Sequence, residues 1–147
     1  MSDVQLNASA SVAGAITYWP ESGTLLNAGA DQVLRLNFVP GDLINYNSVS
    51  ALVEITVEKA DQSITFNDLV TPCQEVILDL VATSSSGLPV SYSSSDPGVV
   101  SISGNVVTIL KDGQTTITAS QPGNENFNPA PDLNQVLTII SLDTLVT

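Results

Sequence analysis

The feature that most constrains this chain is a period-two alternation of apolar and polar residues, cut at short intervals by glycine and proline. In Ala51–Glu58 the side chains of Val53, Ile55 and Val57 fall on one side, and Glu54, Thr56 and Glu58 fall on the other. A strand half-buried on a core carries this pattern, and no stretch of helical period competes with it. The same alternation predicts strands over Val4–Ala10, Ile16–Trp19, Gln32–Val39, Ser63–Phe66 and Glu75–Ala82, then Val90–Ser93, Val99–Ile102, Val106–Leu110, Thr115–Ala119 and Gln135–Ile140. Between them stand turn formers such as Pro20-Glu21-Ser22-Gly23, Pro40-Gly41-Asp42, Asp96-Pro97-Gly98, Asp112-Gly113 and Pro122-Gly123-Asn124. Short strands at this spacing predict an all-β sandwich.

The two halves also resemble each other. Leu6-Asn7-Ala8 and Ile16-Thr17-Tyr18 match Leu80-Val81-Ala82 and Val90-Ser91-Tyr92 at an offset of 74. Further on, Pro40-Gly41-Asp42-Leu43-Ile44-Asn45-Tyr46-Asn47 matches Pro122-Gly123-Asn124-Glu125-Asn126-Phe127-Asn128. Two tandem copies of one β-sandwich module are the expectation. The first spans 1–59, the second 60–141, and residues 142–147 form a tail toward a next module. The first module is expected to lack its N-terminal strand, because nothing in it corresponds to Gln62–Phe66.

The second half resembles a bacterial immunoglobulin-like repeat. The resemblance rests on Ser84–Pro97 (SSSGLPVSYSSSDP), Val99–Ile109 (VVSISGNVVTI) and Gly113–Asn124 (GQTTITASQPGN). It is similar to the group 2 bacterial Ig-like domains and to the related MBG repeats of large extracellular and adhesin-like proteins. Leu6-Asn7-Ala8-Ser9-Ala10 and Gly41–Asn47 extend the likeness to the first half. Where such repeats often carry a Tyr-Gly turn, this chain has Thr71-Pro72-Cys73-Gln74-Glu75. The resemblance implies two Ig-like sandwiches at a bacterial cell surface or in a secreted protein, with any signal peptide outside this stretch.

Composition excludes several functions. Among 147 residues there is no histidine and one cysteine, Cys73, so imidazole bases, histidine-held metals and intrachain disulfides are absent. A net charge of −12 repels nucleic-acid phosphates and anionic lipid surfaces, and no apolar run approaches the ~20 residues of a membrane span. Cys73 has no basic neighbour and an acidic one, Glu75, so it reads as a loop cysteine rather than a nucleophile. Lys59 and Lys111 could serve an intramolecular isopeptide bond but read as solvent-facing, and Asn7-Ala8-Ser9 matches a glycosylation sequon.

Three site candidates remain. Asp42 and Glu125 lie in oxygen-rich loops, and Glu58 and Asp61 flank the junction; these four are the weak calcium candidates, although no Asp-x-Asp-x-Asp spacing is present. The alternative for the loops is that Asx side chains close turns while Tyr46 and Phe127 plug the end of each sandwich. Trp19, pointing away from Tyr18, is the candidate platform for a sugar ring.

No catalytic constellation is visible, so a non-enzymatic role is expected. The first reading is a stalk or spacer in an adhesin-like protein, its partners being neighbouring repeats of the same polypeptide. The junction Val57-Glu58-Lys59-Ala60-Asp61-Gln62 contains no glycine, serine or proline and predicts a stiff connection. Self-association through edge strands is a further expectation, with residues 142–147 as a strand donor. The alternative is an ancillary carbohydrate-binding module of a secreted hydrolase, gripping polysaccharide through Trp19.

Overall fold

The computed structural model describes residues 6–69 and 77–140, and among them every regular element is a β-strand. The chain falls into two compact units, Met1–Lys59 and Ala60–Thr147. Cys73 and residues 142–147 lie outside the described residues.

The first unit is one antiparallel sheet of three strands, β1 (Gly14–Trp19), β2 (Gly29–Pro40) and β3 (Val49–Val57), in the order β1-β2-β3. Its register aligns Ile16 with Phe38 and Val49, Tyr18 with Leu36 and Ala51, and Leu34 with Val53. Because side chains alternate, these residues share one apolar face, and Trp19, Arg35, Leu52 and Glu54 share the other. β2 reaches its length by carrying an irregularity between Gly29 and Gln32, where Asp31 sits at φ 56°. A bulge of this kind lets a long strand bend without losing its later register.

The second unit has two layers. β7 (Ser91–Ser94), β10 (Gly113–Ser120) and β11 (Leu133–Ile139) form one sheet in the order β11-β10-β7. Facing it are β4 (Ile64–Phe66) paired with β6 (Ala82–Ser84), and β5 (Ile77–Asp79) paired with β9 (Val106–Ile109), which pairs in turn with β8 (Val100–Ser103). The buried cluster draws Ile64 and Phe66 from β4, Val100 from β8, Val107 from β9, and Ile117, Ala119, Leu137 and Ile139 from β10 and β11. Each large aliphatic side chain buried there contributes about 1.5–3 kcal/mol.

A buried polar set closes one end of this core. Gln62 Nε2 donates to Gln121 Oε1 (3.1 Å) and to the Asn128 carbonyl (2.8 Å), while Gln121 Nε2 donates to the Pro89 carbonyl (3.0 Å). Ser86 Oγ donates to Gln62 Oε1 and the Gly123 N–H to Gln121 Oε1, so both amides are satisfied at each end. Among the described residues no buried side-chain nitrogen or oxygen lacks a partner.

Three expectations need correction. Residues 6–10, the described part of the predicted Val4–Ala10 strand, belong to no strand. At the offset of 74, residues 8–10 correspond to Ala82–Ser84, which are strand because β4 pairs with them, and among the described residues the first unit has no equivalent of β4. The described part of the predicted Glu75–Ala82 strand breaks at Leu80, whose N–H donates to the Asn105 carbonyl (2.7 Å). Below the break the chain pairs with β9, and above it with β4. Finally, more than one strand is absent from the described residues of the first unit. Residues 20–28 connect β1 to β2, whereas residues 95–112, between β7 and β10, contain the hairpin β8–β9. The whole second layer is missing from the first unit's described residues.

Candidate functional site

The site is built on the apolar face of β1-β2-β3. Residues 6–12 cross over this face, and the space between them and β3 forms a trough in two stretches that share Ala8, Leu36 and Ala51. One stretch, of about 280 Å³, is floored by Leu34 and Leu36 and bounded by Leu6, Tyr18, Val53 and Ile55. The other, of about 440 Å³, is bounded by Val12, Ile16, Phe38, Val49 and Tyr46. Leu34 and Leu36 on the trough floor are apolar, Arg35 between them also lines the first stretch, and the β3 wall is open: Val49 is 57% exposed and Val53 54%.

The crossing segment is fastened at Ala8, whose N–H donates to the Tyr18 hydroxyl (2.9 Å). The second unit repeats this fastening at the same sequence distance, the Ala82 N–H donating to the Tyr92 hydroxyl (2.8 Å). Tyr92 also meets the Phe66 ring, centroid to centroid 5.7 Å at 56°. Tyr18 has the first contact and faces the trough where the second would be.

The loops after the Pro-Gly turns repeat as well. Asp42 Oδ1 accepts from the N–H groups of Ile44 (3.0 Å) and Asn45 (3.2 Å), and Asn124 Oδ1 accepts from those of Asn126 (2.8 Å) and Phe127 (3.0 Å). Asp42 Oδ2 accepts from Asn45 Nδ2 (2.7 Å). This side-chain bond first, and the two backbone donors after it, hold the Asp42 carboxyl below its ordinary value of 3.8. Both Asp42 oxygens are thus committed to the loop. Phe127 is half-buried, but Tyr46 is 48% exposed and lines the trough instead of plugging the end of a sandwich. The second loop grips the incoming chain: the Ala60 N–H donates to the Asn126 carbonyl (2.9 Å), and the Asn128 N–H to the Ala60 carbonyl (2.9 Å).

Of the remaining calcium candidates, Glu58, Asp61 and Glu125 are exposed, and Asp61 Oδ1 accepts from Asn128 Nδ2 (2.9 Å). Among the described residues no three Cys, Asp or Glu side chains come together as a metal site. Trp19 is 66% exposed on the face opposite the trough, in register with Arg35 and Leu52. Lys59 and Lys111 are exposed, as is Asn7. The trough itself is what sequence reasoning missed, since alternation marks an apolar face without saying whether another layer covers it.

Comparison with protein-family models and with curated proteins finds no match to this chain.

Proposed function

We propose that the chain is a pair of tandem immunoglobulin-like modules serving as a stalk or spacer segment of a repetitive extracellular bacterial protein, without catalysis. The observation that carries this reading is the recurrence of the same fastenings in both units. A tyrosine hydroxyl holds the backbone N–H ten residues upstream, and an Asx side chain closes the loop after each Pro-Gly turn. The strand order of the second unit supports it: β4-β6 and β5-β9-β8 in one layer and β11-β10-β7 in the other correspond to the ABED and CFG sheets of an Ig sandwich. Glu58 and Lys59 alone separate the end of β3 from the clasp on Ala60, so tension passes from one unit to the next without a slack loop.

Stretching single chains by their ends tests the mechanical role. The second unit should open in one cooperative step that releases on the order of 25 nm of contour length. Gradual extension without a force peak would remove the stalk reading. Exposed Trp19, with Arg35 beside it, gives the carbohydrate alternative its one specific support. Retention on a polysaccharide matrix that Trp19→Ala removes would put that alternative in place of the stalk.

A further inference from the structure

The face of β1-β2-β3 turned away from the trough departs from its counterpart in the second unit along one row. In one row the two faces agree: Thr17, Asn37 and Ser50 stand side by side, and Thr17 Oγ1 donates to the Asn37 carbonyl (3.3 Å) as Ser91 Oγ does to the Ser120 carbonyl (3.2 Å). In the next row the second unit sets Ser93, Thr118 and Asn134 in line, all small, with Thr118 Oγ1 donating to Asn134 Oδ1 (2.7 Å). The first unit sets Trp19, Arg35 and Leu52 there. These are the chain's one tryptophan, its one arginine and a leucine 61% exposed. One row further, Glu54 stands opposite Val33 and diagonal to Arg35, where the second unit has Val136 opposite Thr116. Among the described residues neither the Arg35 guanidinium nor the Glu54 carboxylate has a hydrogen bond or an ion pair.

We propose that this face is a contact between two copies of the chain, laid face to face about a two-fold axis, with Arg35 of each copy on Glu54 of the other. A two-fold contact uses one patch twice, so the patch must complement itself. This one does. Arg35 and Glu54 are opposite in sign and lie on adjacent strands one step apart, so a half-turn about an axis between them sets each charge over its opposite. A chain of net charge −12 repels its copies over most of its surface, but across the rows from Val39 to Val33 the two charges cancel. Trp19 and Leu52 flank the guanidinium and exclude water from the pair, and tryptophan and arginine are the residues that most often carry contacts between proteins. A sugar finds less to hold: Thr17 is spent on the Asn37 carbonyl, and Ser50 Oγ donates to Asn37 Oδ1 (3.0 Å). With strands ~4.8 Å apart and a rise of ~3.4 Å per residue, the strip covers roughly 350 Å² on each copy, below the ~800 Å² of a stable interface, so the pairing is weak and reversible.

Sedimentation equilibrium of the whole chain reads the pairing, at concentrations on the order of 100 µM to 1 mM. The parent should pass reversibly from monomer to dimer. Arg35→Glu and Glu54→Arg should each stay monomeric, and an equimolar mixture of the two should pair again, because both contacts then join opposite charges. Trp19→Ala should weaken pairing about tenfold. Ala51→Arg, on the trough face, should leave it unchanged. A parent that stays monomeric, charge variants that pair as the parent does, a mixture that fails to pair, or loss of pairing in Ala51→Arg would each overturn the proposal. So would a monomer held on a polysaccharide matrix through Trp19, which gives the face to the carbohydrate alternative. The pairing goes beyond the stalk reading and fails separately from it. A monomeric chain whose second unit still opens in one cooperative step loses the contact and keeps the stalk; a chain that pairs but extends without a force peak does the reverse.

Discussion

Leu34 and Ile117 stand at matching places in two sheets of the same width and pairing. Leu34 lies across from Val53 in the first unit, and Ile117 across from Gln135 in the second. Ile117 is fully buried, while Leu34 is half-buried beside an open wall. The same holds one pair further along, where Leu137 is fully buried and its counterpart Ile55 is not. Local sequence is equally suited to a core in both cases. What differs is the layer opposite, and burial is a property of the pair of layers and not of the strand that carries the residue.

The largest expected effect follows directly. Ile117→Ala and Leu137→Ala should each cost about 2–5 kcal/mol, because the second unit cannot close around the lost volume. Leu34→Ala and Ile55→Ala should cost under about 1 kcal/mol each, since water already reaches that face. Denaturant unfolding, read separately for the two units by amide exchange, measures both. Equal costs would mean that the trough is covered in solution, and the comparison would collapse into two complete sandwiches.

A smaller effect sharpens the comparison at the loops. Gly123 sits at φ 78°, and an added Cβ would meet the carbonyl oxygen of Phe127, so Gly123→Ala should cost about 1–3 kcal/mol. Gly41 occupies the same Pro-Gly turn, but its φ lies outside the left-handed region and the nearest atom to an added Cβ is the Ala13 carbonyl oxygen at 3.7 Å. Gly41→Ala should stay within about 0.5 kcal/mol of the parent. Thermal melts of the two variants decide it, and equal losses would show that both loops are packed alike.

The smallest effect is one of pH. Asp42 has a carboxyl lowered by its Asn45 and Ile44 donors, so its contribution to the loop is present above the ordinary value of 3.8 and is lost as pH falls through the lower folded value. Asn124 holds the equivalent donors without titrating. On acidification below pH 3.8, exchange at the Ile44 and Asn45 amides should quicken relative to Asn126 and Phe127. Asp42→Asn should remove that difference. Parallel behaviour of the two loops in the parent chain would show that the carboxylate does not hold its loop.

Alternation placed every strand of the first unit's sheet and most of the second, because period two is imposed by the pleat and needs no knowledge of partners. It failed where partners decide. Leu6, Ala8 and Ala10 alternate as well as Leu80 and Ala82 do, but a strand exists only beside another strand. Leu80 itself was legible as apolar and not as the point where one strand changes sheets. The layer absent from the first unit's described residues did leave a trace. Matching segments are offset by 74 before β2 and by 82 at Pro40, so the second unit holds eight more residues between them, and the hairpin β8–β9 lies there. The Asx loops were readable from Pro-Gly-Asp and Pro-Gly-Asn because their donors are local. Tyr46 and the trough were not, since both depend on what lies across the sheet.

The amides of Gln62 and Gln121 bear on how this sequence can drift over generations. Gln62 gives protons to an amide oxygen and a carbonyl while taking one from Ser86, and Gln121 likewise donates at one end and accepts at the other. Glutamate at either place could not donate, and leucine would strand the groups it replaced. A single change at either position is therefore a loss, and only a concerted change of the whole set leads to another solution. The end of the second sandwich is in this sense a locked combination, where variation is blocked one residue at a time, while the turns around it remain open to change.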